Sequence, residues 1–462
     1  MRRQMERAEE DRVATYALRS ADATRRYPIE DEGRIFDYRT HFQRDRDRIV
    51  YSRAFRRLRQ KAQTGILPDY EDHRRNRLTH TLEVAQLART IARALSLNED
   101  LTEAVALGHD LGQPPFGPVG AAALDALLSG ALDGRGGPGL GDQGGFSTAW
   151  QSLRVVDKLE KRYDHPGLNL TDAVREGLVK VAPRVGPPAW QVEGLDPSTP
   201  PSFEVQVVAL ADRIASALHD LDDAMQSGAV AVAQVERLHA VGELRKKLGG
   251  RYRARAGRFM KINAIHRGLT HLLVTGGVLA SGASLKRWAA QHGVRDAESF
   301  RSVRREAMTG REIRLPDSGG RLLEDLEGFL ENRVHRGFEA DRVAARGRRV
   351  VLGLFAAYHV DPTLLDDHVL FRFKEGSALR YLRDLPPEAV ENEVQSRYRG
   401  NPRFVRVLAD HVAAMTDAYA IAEHGRLMEM GAVPIPSVEQ LRRERLPSRR
   451  RGRRPADQEA EV

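Results

Sequence analysis

Residues 104–120 read AVALGHDLGQPPFGPVG. An apolar run delivers a histidine and a carboxylate side by side, His109-Asp110. Gly112 and the pair Pro114-Pro115 follow within six residues, and proline cannot continue a helix because it lacks the N–H and its ring meets the preceding turn. The stretch therefore predicts a helix that stops at Gly112 and leaves His109-Asp110 at its end. Upstream, Asn98 is placed to cap that helix, with Glu99 and Asp100 in its first turn. Further upstream, Leu78, Leu82, Ala85, Ala88, Ile91 and Leu95 recur at spacings of three and four. That spacing marks one buried face of a helix beginning at Arg77, with His80 inside it.

Downstream, helical periodicity predicts a helix over Glu204–Met225 and another over about His411–Met428. Alternation of β-branched residues is scarce, so the expected class is all-α. Gly130 to Gly145 is glycine-rich and is expected to form a mobile loop. It contains GLGDQG, but no strand precedes it and no βαβ unit surrounds it, so a dinucleotide-binding reading has no support. The apolar stretch Val350–Tyr358 fits either a core or an interface.

The chain has 462 residues, a net charge of +9 and no cysteine. Disulfides and thiolate metal sites are excluded, so any metal must sit on histidines and carboxylates. The basic balance suits polyanionic partners, nucleotides or nucleic acid, and Arg forks match phosphate bidentately. No stretch approaches the roughly 18 to 20 apolar residues of a membrane span, and the N-terminus MRRQMERAEEDR has no apolar signal core, which implies a soluble, cytoplasmic protein with no membrane partner. The last residues, RRERLPSRRRGRRPADQEAEV, cannot bury a core and are expected to be a disordered basic tail that touches nucleic acid or is merely solvated.

His80, His109, Asp110 and Asp212 carry the chemistry. Asp212 lies in ALADRIASALHDLDD on the third helix. Two imidazoles and two carboxylates form a mixed N/O set suited to a divalent ion such as Mn, Fe, Zn or Mg. Such an ion activates water and polarises a phosphoryl oxygen, so hydrolysis of a phosphate ester or anhydride is the natural outcome.

Six blocks, FQRDRDRIVYSRAFRRLRQKAQ (42–63), RNRLTHTLEVAQLARTIARAL (75–95), AVALGHDLGQPPFGPVG (104–120), GLNLTDAVREGL (167–178), ALADRIASALHDLDD (209–223) and MTDAYAIAEHGRL (415–427), resemble in order those of the deoxyguanosine triphosphate triphosphohydrolase family. The resemblance spans nearly the whole chain outside the tail. It implies an all-α HD-domain core with additional C-terminal helices: an N-terminal helical segment (1–60), a metal-binding core (61–230), a C-terminal helical region (231–432) and the tail (433–462). It implies release of triphosphate from a deoxynucleoside triphosphate (dNTP), a homo-oligomer, and His80, His109, Asp110 and Asp212 as metal ligands. It also implies that Arg77 and Arg213 reach substrate phosphates, that Gln63 lies near the deoxyribose and that Asp220 accepts from the sugar 3′-hydroxyl.

The chain also departs from the family pattern HDLGHPPFGHxGE. Gln113, Pro118 and Ala121 stand where the family has His, His and Glu, and the second His with the Glu normally forms the catalytic dyad. Glutamine cannot exchange a proton near neutral pH, and Pro118 and Ala121 have no polar side-chain atom. Losing a positioned acid–base group typically costs about 10²–10⁴-fold in rate. Ser216 replaces a family Tyr, and FSTAWQSLR (146–154) lacks a family Glu and Asn. Three readings follow: dNTP hydrolysis with a substituted proton relay, for which His219 is a candidate; hydrolysis of a different phosphate compound; or a non-catalytic sensor that binds dNTPs or nucleic acid.

Overall fold

The computed structural model describes residues 1–29, 38–63, 75–133, 139–182, 192, 194–196, 198–249, 257–303, 305–375 and 379–428. Among these the regular elements are helical, and pairing of extended backbone is limited to three isolated bridges. The all-α expectation holds. The basic tail lies outside the described residues, as do 134–138 of the glycine-rich loop.

The helices used below are α1 (His41–Val50), α2 (Arg77–Ala94), α3 (Glu99–Gly108), α4 (Gly117–Leu128), α5 (Thr148–Arg154), α6 (Phe203–Ser227), α7 (Arg258–Gln291), α8 (Asp317–Leu330), α9 (Phe338–Val360), α10 (Pro402–Ala413) and α11 (Asp417–Met428). Their starts follow the capping residues. Thr40 and Gln43 close a reciprocal capping box on α1, and Asn76 and Thr79 close one on α2. Asn98 caps α3 as expected, its side-chain oxygen accepting the Leu101 amide at 3.1 Å. Each such cap satisfies an amide that the first helical turn leaves without a partner and contributes about 1 kcal/mol.

Helix α6 is the axis of the larger core. Val205, Val207, Val208, Ala211, Ile214, Ala215, Leu218 and Leu221 are all buried on it, and a helix apolar on nearly every side must be enclosed. Helices α2, α3, α7 and α8 pack around it. A second core joins α4 to α9, α10 and α11. Val350, Val351, Leu354, Phe355 and Tyr358 are buried there, which assigns the 350–358 stretch to the core.

Four expectations need correction. Leu82, expected in the buried face of α2, is exposed there. Helix α3 ends at Gly108, four residues short of Gly112, because the chain must turn early to bring His109 and Asp110 inward. The predicted helix from His411 is broken at Ala414–Thr416, where α10 stops and Thr416 receives the Tyr419 amide at the start of α11. Finally, α7 is by length and composition long and apolar enough to cross a membrane. Its row Ile262, Ile265, Leu269, Leu273, Leu285 and Trp288 is buried in the larger core.

Candidate metal centre

The site is assembled at the junction of α2, the turn after α3, and α6. The Asn76–Thr79 box fixes the first turn of α2, so Arg77 and His80, three residues apart, share one inward face. His80 thus sits in the opening turn of the helix, and the two side chains are 4% and 1% exposed. Gly112 lets the turn after α3 press against α5. A Cβ there would lie 2.2 Å from the Ser152 amide nitrogen and 2.3 Å from the Thr148 carbonyl. In the same contact the Gly112 amide donates to Ser152 Oγ at 2.9 Å, and that hydroxyl donates to the His109 carbonyl at 2.8 Å. The glycine, expected only as a helix stop, is the contact that seats the turn carrying His109 and Asp110.

Ligand-capable atoms of His80, His109 and Asp110 lie within 4.8 Å of one another. Asp212 closes the set from α6, its Oδ1 3.2 Å from His80 Nε2 and 3.7 Å from His109 Nε2. Asp110 Oδ1 is 3.7 Å from His109 Nε2. His109 Nδ1 pairs with the Ala106 carbonyl at 2.6 Å, so it carries the proton and leaves Nε2 bare toward the cluster. Burial alone would depress the His109 imidazolium, but Asp110 and Asp212 outweigh it and raise its pKa. Burial likewise opposes ionisation of both carboxylates. Arg77 and the two histidines nevertheless hold Asp110 well below the ordinary carboxylate range, and His80 and His109 lower Asp212. Two ionised carboxylates and two inward ring nitrogens at these spacings fit a divalent cation.

The surrounding residues differ from a bare ligand list. Arg77 Nη1 donates to Asp110 Oδ2 at 2.8 Å, while its Nε is buried without a hydrogen-bond partner among the described residues. Ser216, the replacement for a family Tyr, points its hydroxyl at Asp212 Oδ1 at 3.3 Å. Gln63 Oε1 and Gln113 Oε1 are both buried acceptors without a partner among the described residues. Arg213, next to Asp212 in sequence, turns outward and grips Glu327 of α8 with two 2.7 Å hydrogen bonds. Asp220 faces His335 Nε2 at 3.3 Å.

Pro118 is exposed in the first turn of α4, where proline is well suited because an amide there has no helical partner. Ala121 packs against the second core. His219 is 2% exposed and has both ring nitrogens engaged, Nδ1 with His80 Nδ1 at 3.0 Å and Nε2 with Glu83 Oε2 at 2.5 Å. It stands behind His80 and holds no free ring nitrogen. Burial keeps its imidazolium pKa low. Burial also works against the Glu83 carboxylate, yet His219 and Arg75 hold its pKa down to about 2.

Sequence reasoning missed Glu83 and Lys61. Glu83 lies three residues after His80 on the same helix, a spacing that was available as a signal. Lys61 is 3% exposed and donates to the carbonyls of Gln113 and Ala413; nothing in the sequence separates it from its many basic neighbours.

An HD-domain model matches residues 77–135, which hold three of the four clustered residues, and a phosphohydrolase-associated-domain model matches residues 379–426. A deoxyguanosinetriphosphate triphosphohydrolase-like protein of Azoarcus sp. is 36% identical over 427 residues, covering 91% of this chain and 98% of its own length. The chain belongs to the deoxyguanosinetriphosphate triphosphohydrolase-like family. Family members of the same description from Bordetella pertussis (36% identical; 85% of this chain, 91% of the relative) and Caulobacter sp. (34%; 88% and 93%) agree. Within this HD phosphohydrolase family, the cluster of His80, His109 and Asp110 falls inside the matched HD segment.

Proposed function

We propose that the chain hydrolyses a deoxynucleoside triphosphate, releasing triphosphate, at a divalent cation held by His80, His109, Asp110 and Asp212. The carrying observation is the buried cluster of His80, His109 and Asp110, with Asp212 Oδ1 3.2 Å and 3.7 Å from the Nε2 atoms of the two histidines. A bound cation supplies electrophilic polarisation of a phosphoryl oxygen and a better water nucleophile. Mn, Mg, Fe and Zn all suit the donor set. Arg77 orients Asp110 with one arm and keeps a buried N–H for a phosphate oxygen. Gln63 and Gln113 offer buried acceptors for substrate hydroxyl or amino groups. Arg213 takes a phosphate only by giving up Glu327, and Asp220 takes the sugar 3′-hydroxyl beside His335. Self-association, a cytoplasmic location and nucleic-acid contact through the basic surface complete the proposal; the first rests on the family resemblance.

A second reading rests on Pro118 and Ala121. Neither side chain has a polar atom, and His219 is committed to His80 and Glu83, so neither the two family positions nor His219 presents a free proton-transfer group. This favours a slow hydrolase or a dNTP-binding sensor. The test is restoration: Pro118→His together with Ala121→Glu is expected to raise triphosphate release by about 10²-fold or more. An unchanged rate in a folded, nucleotide-binding variant counts against hydrolysis limited by the missing dyad.

A further inference from the structure

The contacts behind His80 have only one consistent arrangement of protons when His219 is neutral. A carboxylate only accepts, so the 2.5 Å contact of Glu83 Oε2 with His219 Nε2 places a proton on that nitrogen. His219 Nδ1 is then bare, and it lies 3.0 Å from His80 Nδ1. Between two facing ring nitrogens one must donate, so the proton is on His80 Nδ1. His80 Nε2 is left as a lone pair, and this is the atom 3.2 Å from Asp212 Oδ1 inside the cluster.

We propose that Glu83 and His219 are positioning residues that lock His80 in its Nδ1–H tautomer and so present Nε2 to a divalent cation. They act through His80 and touch no substrate. The proposal rests on reading the four-residue cluster as a cation site. The outer end of the relay is itself held, because Arg75 Nε donates to Glu83 Oε1 at 3.3 Å while its Nη1 is anchored on Asp223 at 2.8 Å. His266 of α7 lies nearly parallel to the His219 ring, at 6.4 Å between centroids and 18°. The two histidine ligands are therefore oriented by different means. His109 uses the Ala106 backbone carbonyl, which no side-chain substitution removes, whereas His80 depends on two side chains from α2 and α6. Outer partners of this kind fix tautomer and ring orientation, and their loss typically weakens metal binding by about 10–100-fold.

The experiment measures Mn²⁺ binding by calorimetry for the full chain and for Glu83→Ala, Glu83→Gln, His219→Ala and Asp110→Ala. Ring-¹⁵N histidine spectra of the metal-free proteins are recorded alongside. Glu83→Ala and His219→Ala are each expected to weaken Mn²⁺ binding about 10–100-fold and to lose the His80 Nδ1–H signature. Glu83→Gln keeps an acceptor for His219 Nε2–H and is expected to stay within about threefold of the unaltered chain, a rescue that a purely electrostatic role of Glu83 would not give. The Glu83 side chain is 42% exposed, so its variants report even where His219→Ala fails to fold. Unweakened Mn²⁺ binding in Glu83→Ala, with binding lost in Asp110→Ala, overturns the relay and leaves the cation site standing. Absence of Mn²⁺ binding in the unaltered chain overturns the cation reading itself. The spectra then still decide whether Glu83 sets the His80 tautomer, and an Nδ1–H signature that persists in Glu83→Ala overturns that too.

Discussion

Lys61 bears a large electrostatic strain beside the site. Burial drives its pKa from 10.5 down to about 7, with Asp417 offsetting only part of the effect. Because the folded pKa lies below the unfolded one, the unfolded chain binds more protons between about pH 7 and 10.5, and stability contributed through this group rises with pH across that window. Below pH 7 the lysine is charged in both states and its full desolvation cost remains. In Lys61→Met this contribution should vanish, so the unaltered chain is expected to gain on the variant by a few kcal/mol, to order of magnitude, between about pH 7 and 9.5. Urea midpoints at the two pH values give the answer, and parallel pH profiles would refute it. At this scale the residues of the cluster were legible, because His80, His109, Asp110 and Asp212 stand in distinctive text and the fold brings them together. Lys61 was not, since burial against two carbonyls leaves no pattern in a chain with 73 Lys and Arg. The contacts of His219 with His80 and Glu83 were not legible either, because sequence separation says nothing about which side of His80 it occupies.

The turn between α3 and α4 shows how an element boundary is decided by its neighbour. The sequence placed the helix end at Gly112 on the strength of proline and glycine, whereas packing ends it at Gly108. Phe116 and Gly117 both take left-handed φ, 62° and 54°, to start α4, and the Phe116 ring sits where Gly347 of α9 leaves room, a Cβ there falling 2.9 Å from it. Such contacts come from distant parts of the chain and leave no local periodicity. Gly112 is the least replaceable residue of the turn. Gly112→Ala drives a methyl group into backbone atoms of α5, which cannot move like a flexible side chain. It is expected to cost on the order of 3 kcal/mol or more and to weaken metal binding by displacing His109 and Asp110. Thermal unfolding together with Mn²⁺ titration tests both effects, and a variant of native stability would contradict the packing described.

Two hydrophobic cores meet at this turn. The larger one is gathered around α6, and the second joins α4 to α9–α11. They are tied by polar contacts as well as by the turn itself. Asp417 accepts from the amides of Ala62 and Phe116 at 2.9 and 3.0 Å, Lys61 reaches the Ala413 carbonyl at 2.9 Å, and Arg154 and Gln151 of α5 hold the fully buried Asp410 of α10. Asp417→Ala leaves two amides without their acceptor, at about 1–3 kcal/mol for each that stays buried. Faster hydrogen exchange at Ala62 and Phe116 is expected, with a lowered urea midpoint; unaltered exchange would show that the two cores are joined by other means. The six ordered sequence blocks carried the family and the helical class. They did not carry this arrangement, because the 415–427 block contributes by closing the turn after α3 from outside.

The most direct measurement of the central claim is triphosphate release by the purified chain with Mn²⁺ and each dNTP, singly and in pairs, beside Asp110→Ala. Metal-dependent release that disappears in Asp110→Ala is the expected result. Measurable dNTP binding with no release under any combination would contradict hydrolysis and leave the sensor reading in its place.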